Sequence, residues 1–184
     1  SEVLGEIKPS PIKKADRDYL EKEYEKNVCG GRVNPFLSAI FDEPLRRVAT
    51  RRGEYNGEKL HPVNLCVPGT RKLFVSPNGK FYSCEKLGYN YFQIGDISKG
   101  IDHEKVFKII ADHFKFVKDK CSNCWAAQIC NSCLFLNSSK EGIPDECRFE
   151  ENCNIKRKEM ERNILFYARL CKNSPVEFKK YILN

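Results

Sequence analysis

The chain has 184 residues with 32 Lys or Arg, 25 Asp or Glu and ten Cys, which gives a formal net charge of +7. This length can bury a core of moderate size, and no run approaches the roughly 18 apolar residues that a membrane-spanning helix needs. The composition argues against a membrane protein and indicates one domain, or one domain with part of a second.

Residues 1 to 65 are predicted to form a helical connector. The segment 16–27 starts near an Asp, places Leu20 and Tyr24 one helical turn apart, and is followed by Gly30-Gly31, as helices commonly are. A second apolar segment covers residues 36–41. The connector shows no adequate core of its own, so we expect it to pack against something else, with a domain absent from this chain as the candidate partner.

A β-hairpin is predicted next. Residues 71–76 alternate like a strand, Ser76-Pro77-Asn78-Gly79 has the composition of a tight turn, and residues 80–84 return as the second strand. This arrangement would place Cys66 and Cys84 near the open end of the hairpin. Residues 93–96 are predicted to add a short strand.

Two amphipathic helices are predicted in the remainder. In residues 103–118 the apolar positions at helical spacing are Val106, Phe107, Ile110, Phe114 and Val117, and in residues 154–171 they are Met160, Ile164, Leu165, Ala168 and Cys171. The predicted fold class is therefore α+β: a small cysteine-rich domain with a β-hairpin and flanking helices.

The cysteines carry most of the functional information. Four fall in one 13-residue CxxC-x5-CxxC run: Cys121, Cys124, Cys130 and Cys133. Thiolates at this spacing converge when the backbone turns tightly, which is how proteins hold zinc or an iron–sulfur cluster. Together with Cys66, Cys84, Cys147 and Cys153 they make eight thiols, enough for two four-ligand sites.

A disulfide framework is the competing interpretation. No apolar signal segment opens the chain, and ten cysteines in 184 residues are fewer than disulfide-stapled domains carry. The pattern favours a cytoplasmic metal-binding protein. Of the two outlying cysteines, Cys29 is predicted to be free and Cys171 to be a small core residue.

Three stretches together resemble a known family: "CVPGTRKLFVSPNGKFYSCEK", "IGDISKG" and "CSNCWAAQIC". Their order is similar to that of the SPASM domain, the C-terminal auxiliary-cluster module of radical S-adenosylmethionine enzymes that modify peptides and proteins. The resemblance covers about residues 66 to 171. It implies a SPASM-like domain over 66–184, preceded by a connector over 1–65 from the end of a missing radical S-adenosylmethionine barrel.

The resemblance also implies two [4Fe–4S] clusters. The cluster nearer the barrel would take Cys66, Cys84 and Cys133, and the distal cluster would take Cys121, Cys124, Cys130 and Cys153. The chain departs from the family pattern in having two rather than three residues between the last two thiols of the run. It also has an extra thiol, Cys147. Either Cys147 is the fourth ligand of the near cluster, or that cluster has only three thiolate ligands and one open iron. Aromatic side chains beside the thiols would supply an apolar wall: Phe81, Tyr82, Trp125 and Phe135.

The implied function is an auxiliary module of an enzyme that modifies a ribosomally synthesised precursor peptide, with thioether crosslinking as a candidate reaction. The module would position the substrate peptide and offer an electron-transfer route. The CxxxCxxC loop that holds the catalytic cluster of these enzymes is absent from the sequence. We therefore expect S-adenosylmethionine to bind only in the missing domain, and this chain to be inactive alone.

A structural two-zinc module that binds protein or nucleic acid is the alternative, since four-cysteine sites suit zinc and aerobic expression can load zinc into a cluster site. Zinc ribbons, however, separate their CxxC pairs by roughly 15 to 20 residues, whereas these pairs share one run. The basic residues are not interleaved with aromatics as a single-strand binding surface requires, which argues against nucleic acid. His61, His103 and His113 show no mutual metal-ligand spacing.

Overall fold

The computed structural model describes residues 14–51, 68–70, 72–86, 90–133, 137–139 and 144–183. Within them the chain is α+β, as predicted, with five α-helices and a four-stranded antiparallel sheet. The elements in chain order are α1 (Lys14–Cys29), α2 (Pro35–Ala49), β1 (Phe74–Val75), β2 (Lys80–Tyr82), β3 (Gln93–Asp96), β4 (Gly100–Ile101), α3 (His103–Cys121), α4 (Glu146–Asn173) and α5 (Pro175–Leu183). No helix in these described ranges is both long enough and apolar enough to cross a membrane.

The chain divides into two compact units. One combines the residues up to Thr50 with those from Asn163 onward, and the other covers Arg51–Arg162. This division differs from the predicted boundary after residue 65, because the C-terminal part of α4 and all of α5 belong to the same unit as α1 and α2.

The first unit has an aromatic core that explains this grouping. Tyr24 of α1 packs on Phe41 of α2 with ring centroids 5.1 Å apart, and Phe41 packs on Phe166 of α4 at 5.3 Å. Leu170 of α4 and Phe178 of α5 are buried in the same cluster. The apolar partner that the two N-terminal helices were expected to need is thus supplied by the C-terminal end of the chain.

The second unit contains the sheet, with strand order β1-β2-β3-β4. Phe74 pairs with Tyr82 and Val75 with Phe81, so the predicted hairpin is confirmed, although its strands are shorter than the predicted ranges 71–76 and 80–84. The Ser76 N–H donates to the Lys80 carbonyl at 2.9 Å to close the turn, and Gly79 has a φ of 75°, which glycine adopts without steric cost. The strand predicted at 93–96 is also present, whereas β4 was not predicted.

The buried faces of two helices differ from those predicted. On α3 the buried residues are Val106, Ile109, His113 and Val117, while Phe107, predicted to be buried, is 70% exposed. On α4 the buried apolar residues are Phe149, Met160, Phe166 and Leu170, whereas Leu165 is 65% exposed and Ala168 and Cys171 are exposed. Two apolar stripes coexist at helical spacing on α4, and the stripe carrying Phe166 is buried because that ring completes the aromatic core of the first unit.

Candidate metal centre

The segment after α3 is folded by successive tight turns. The Cys124 N–H donates to the Cys121 carbonyl at 3.1 Å, the Ala127 N–H to the Cys124 carbonyl at 3.0 Å, and the Cys130 N–H to the Ala126 carbonyl at 2.8 Å. Ala126 and Ala127 are buried, so small side chains anchor the segment. This is the tight backbone turning that the CxxC spacing requires.

A cavity of about 330 Å³ lies in the second unit, and four thiols line it. Cys121 is the last residue of α3, Cys124 and Cys130 come from the turn segment, and Cys153 comes from α4. These are the four residues that the resemblance assigns to the distal cluster. The structure brings them together, although Cys153 is separated from the run by the first turns of another helix.

The rest of the cavity wall combines apolar and charged side chains. The apolar part is Val117, Ala126, Ala127 and Phe149, and the polar and charged part is His113, Lys120, Ser132, Asn137, Glu150, Asn154, Lys156 and Arg157. Trp125 is 57% exposed and does not line the cavity. Phe81 and Tyr82, also predicted to form the apolar wall, do not line this cavity either, and Phe135 lies outside the described residues. The aromatic side chain that lines the cavity is instead Phe149.

The surroundings of Cys121, Cys130 and Cys153 favour the protonated thiol when no metal is bound. Burial raises the pKa of Cys121 to about 11, and the neighbouring Cys153, Cys124 and Cys130 raise it further. Burial also raises the pKa of Cys130. The Ser132 N–H donates to the Cys130 Sγ at 3.4 Å, and this hydrogen bond lowers the same pKa. A metal that binds these thiols must displace their protons, so binding releases protons and becomes tighter as the pH rises.

Two cations of the cavity wall offset this effect, since Arg157 lowers the pKa of Cys153 and Lys156 lowers that of Cys130. A third cation, Lys120, pairs with Glu146 and lies 5.1 Å from the centroid of the Phe116 ring. Lys156 pairs with Glu159 at 2.8 Å, and the Arg157 Nη2 donates to the Asn154 Oδ1 at 2.8 Å. Cations beside a thiol favour its thiolate, the form that binds metals.

No group of three or more His, Cys, Asp or Glu side chains within the described ranges is arranged to hold a metal ion. Two sulfurs bound to one tetrahedral zinc would lie about 3.8 Å apart, given zinc–sulfur bonds of about 2.3 Å. A cubane cluster instead takes each thiolate on a different iron, so its ligands surround a volume. Four thiols line this one cavity, and four thiolates are the donor set that such a cluster takes.

The predicted near cluster is less well defined. Cys66 lies outside the described residues, Cys84 packs at the edge of the sheet core, Cys133 is half-buried and Cys147 is exposed. Among the described residues, the four-thiol cavity is not lined by Cys84, Cys133 or Cys147. The assignment of these three residues and Cys66 to a second cluster stays a prediction.

The remaining cysteines are both exposed. Cys171 was predicted to be a core residue, and that prediction is wrong because the buried stripe of α4 passes through Leu170 instead. The Cys29 Sγ lies 2.7 Å from the Ser174 Oγ. None of the nine cysteines in the described ranges forms a disulfide.

Sequence reasoning missed most of the cavity wall, although a signal for it exists. Phe149, Lys156 and Arg157 stand four residues before and three and four residues after Cys153 on α4, and residues at these spacings share a helix face. Val117 bears the same relation to Cys121 on α3. Once a cysteine is assigned as a ligand, the residues one turn away on its helix are candidates for the wall.

No family of known proteins, no curated protein and no solved structure matches this chain. The functional interpretation therefore depends on the cavity, its thiols and the residues that surround them.

Proposed function

We propose that this chain is an auxiliary iron–sulfur module of a radical S-adenosylmethionine enzyme that modifies a ribosomally synthesised peptide. The observation that carries the proposal is the four-thiol cavity, in which Cys153 of α4 joins Cys121, Cys124 and Cys130. The SPASM-like motifs select the same four residues as one ligand set. The motifs and the cavity are different kinds of observation, and they favour the same site.

The side chains around the cavity fit an anionic cluster with thiolate ligands. Val117 and Phe149 are buried and would exclude water from it, while the Ser132 N–H donates to a ligand sulfur. Burial and hydrogen bonds to ligand sulfurs are two of the means by which proteins tune clusters. When bound, a [4Fe–4S] cluster supplies one-electron transfer.

The proposal includes a second cluster held by Cys66, Cys84, Cys133 and Cys147, with an open iron if Cys147 is not a ligand. It also includes two partners: a precursor peptide as substrate, and a barrel domain that binds S-adenosylmethionine and generates the radical. The module would position the peptide and move electrons. Formation of a thioether crosslink is one reaction consistent with this arrangement.

The test is the metal and sulfide content of the full chain after anaerobic expression and cluster reconstitution. We expect about eight irons and eight acid-labile sulfides per chain, the sum for two cubanes, and no stoichiometric zinc. Two zincs without sulfide after the same treatment would contradict the proposal and favour a structural zinc module.

A further inference from the structure

The cavity wall carries cations at defined positions relative to the thiols. We propose that Arg157, with Lys156 beside it, is a positioning residue that offsets the negative charge of the cluster and raises its reduction potential. This inference rests on the proposed function, and it goes further by assigning roles to residues that are not ligands.

The placement of the two cations follows from helix geometry. Lys156 and Arg157 stand three and four residues after Cys153 on α4, so their side chains leave the same face of the helix as the Cys153 thiol. Both line the cavity, and the Lys156 side chain is 19% exposed. A charge shielded from water in this way interacts more strongly with its neighbours than one on an open surface.

A cluster with four thiolate ligands is an anion, and its reduction adds a further negative charge. A nearby cation stabilises the reduced form more than the oxidised form, so the potential rises. Arg157 should have the larger effect of the two, because Lys156 pairs with the Glu159 carboxylate at 2.8 Å, whereas Arg157 donates to the neutral amide of Asn154. Glu150, which also lines the cavity, acts in the opposite direction.

The test is a redox titration of the reconstituted full chain, followed by the electron paramagnetic resonance signal of the reduced cluster. Arg157→Gln should shift one midpoint potential to a more negative value, and Lys156→Gln should shift it in the same direction by less. Arg157→Lys keeps the charge and should retain most of the original potential. Lys158→Gln is the matched control, because Lys158 is the next residue on α4 and is exposed.

Unchanged potentials in Arg157→Gln and Lys156→Gln at full iron content would overturn the inference, as would an equal shift in Lys158→Gln. Loss of iron in Arg157→Gln that Arg157→Lys restores would support charge compensation, whereas loss in both variants would overturn it. Absence of iron and sulfide from the unsubstituted chain is a different result, because it contradicts the proposed function itself.

Discussion

The thiol of Cys121 is the most strongly perturbed of the four that line the cavity. It is the last residue of α3, and burial together with three neighbouring thiols raises its pKa to about 11. A cysteine with an ordinary pKa carries far more thiolate near pH 8, and thiolate is the reactive form. Folding should therefore protect Cys121 from alkylation even before any metal binds.

The prediction concerns the rate at which iodoacetamide modifies Cys121 in metal-free protein at pH 8. The rise of the Cys121 pKa to about 11 lowers the thiolate fraction at pH 8 roughly a hundredfold. A more basic thiolate is also about tenfold more nucleophilic, which offsets part of this decrease in rate. We expect folded protein to react about tenfold more slowly at Cys121 than urea-unfolded protein, measured by mass spectrometry of the peptide. Equal rates in the two states would contradict the described environment of this thiol.

Among the elements, α4 is one of the two helices whose buried face differs from the predicted one, and this gives a matched test. Leu170 is fully buried in the core of the first unit, whereas Leu165 of the same helix is 65% exposed. Leu170→Ala should lower the free energy of unfolding by about 2–5 kcal/mol, the usual cost of emptying a buried leucine site. Leu165→Ala should change it by no more than about 0.5 kcal/mol.

Urea denaturation of the full chain, followed by circular dichroism at 222 nm, measures both α4 variants. A larger loss of unfolding free energy for Leu165→Ala than for Leu170→Ala would support the buried face predicted from the sequence and contradict the observed packing.

The sheet offers a second matched pair, at two glycines with positive φ. Gly95 has a φ of 152°, and a Cβ there would clash with the Gly100 carbonyl oxygen, whereas Gly100 has a φ of 77° and open space around it. Gly95→Ala must displace backbone and should cost roughly 3 kcal/mol. Gly100→Ala introduces only the strain of an alanine at positive φ and should lower the free energy of unfolding by about 1 kcal/mol.

Fluorescence of Trp125, the single tryptophan, follows urea unfolding of the unit that contains both glycines. If Gly95→Ala unfolded at the same urea concentration as the unsubstituted chain, the close approach of β3 and β4 would be refuted.

Local sequence signals predicted some elements well and others poorly. The hairpin was predictable because Asn78-Gly79 specifies a turn within four residues. β4 has only two residues and is defined by its pairing with β3, so no local sequence pattern predicts it. The buried faces of α3 and α4 were ambiguous because each helix carries more apolar positions than one face can hold, and only the tertiary partners decide between them.

At the scale of the whole molecule, the sequence missed contacts between distant segments. The division into two units follows from the packing of α4 and α5 with α1 and α2, and no periodicity within residues 163–183 indicates that partner. The thiol run indicated a metal site from its spacing alone. Cys153 was assigned to the ligand set from the family resemblance. The cations near Cys153 were identified only from the cavity that the structure shows.

The central claim is that Cys153 completes a four-thiolate site with Cys121, Cys124 and Cys130. The most direct measurement is the iron and sulfide content of Cys153→Ala after anaerobic reconstitution, beside Cys171→Ala as the control on the same helix. Cys153→Ala should lose about four irons and four sulfides, the content of one cubane, while Cys171→Ala, which changes an exposed thiol, should lose none. Full iron and sulfide in Cys153→Ala, in protein with unchanged circular dichroism, would contradict the account.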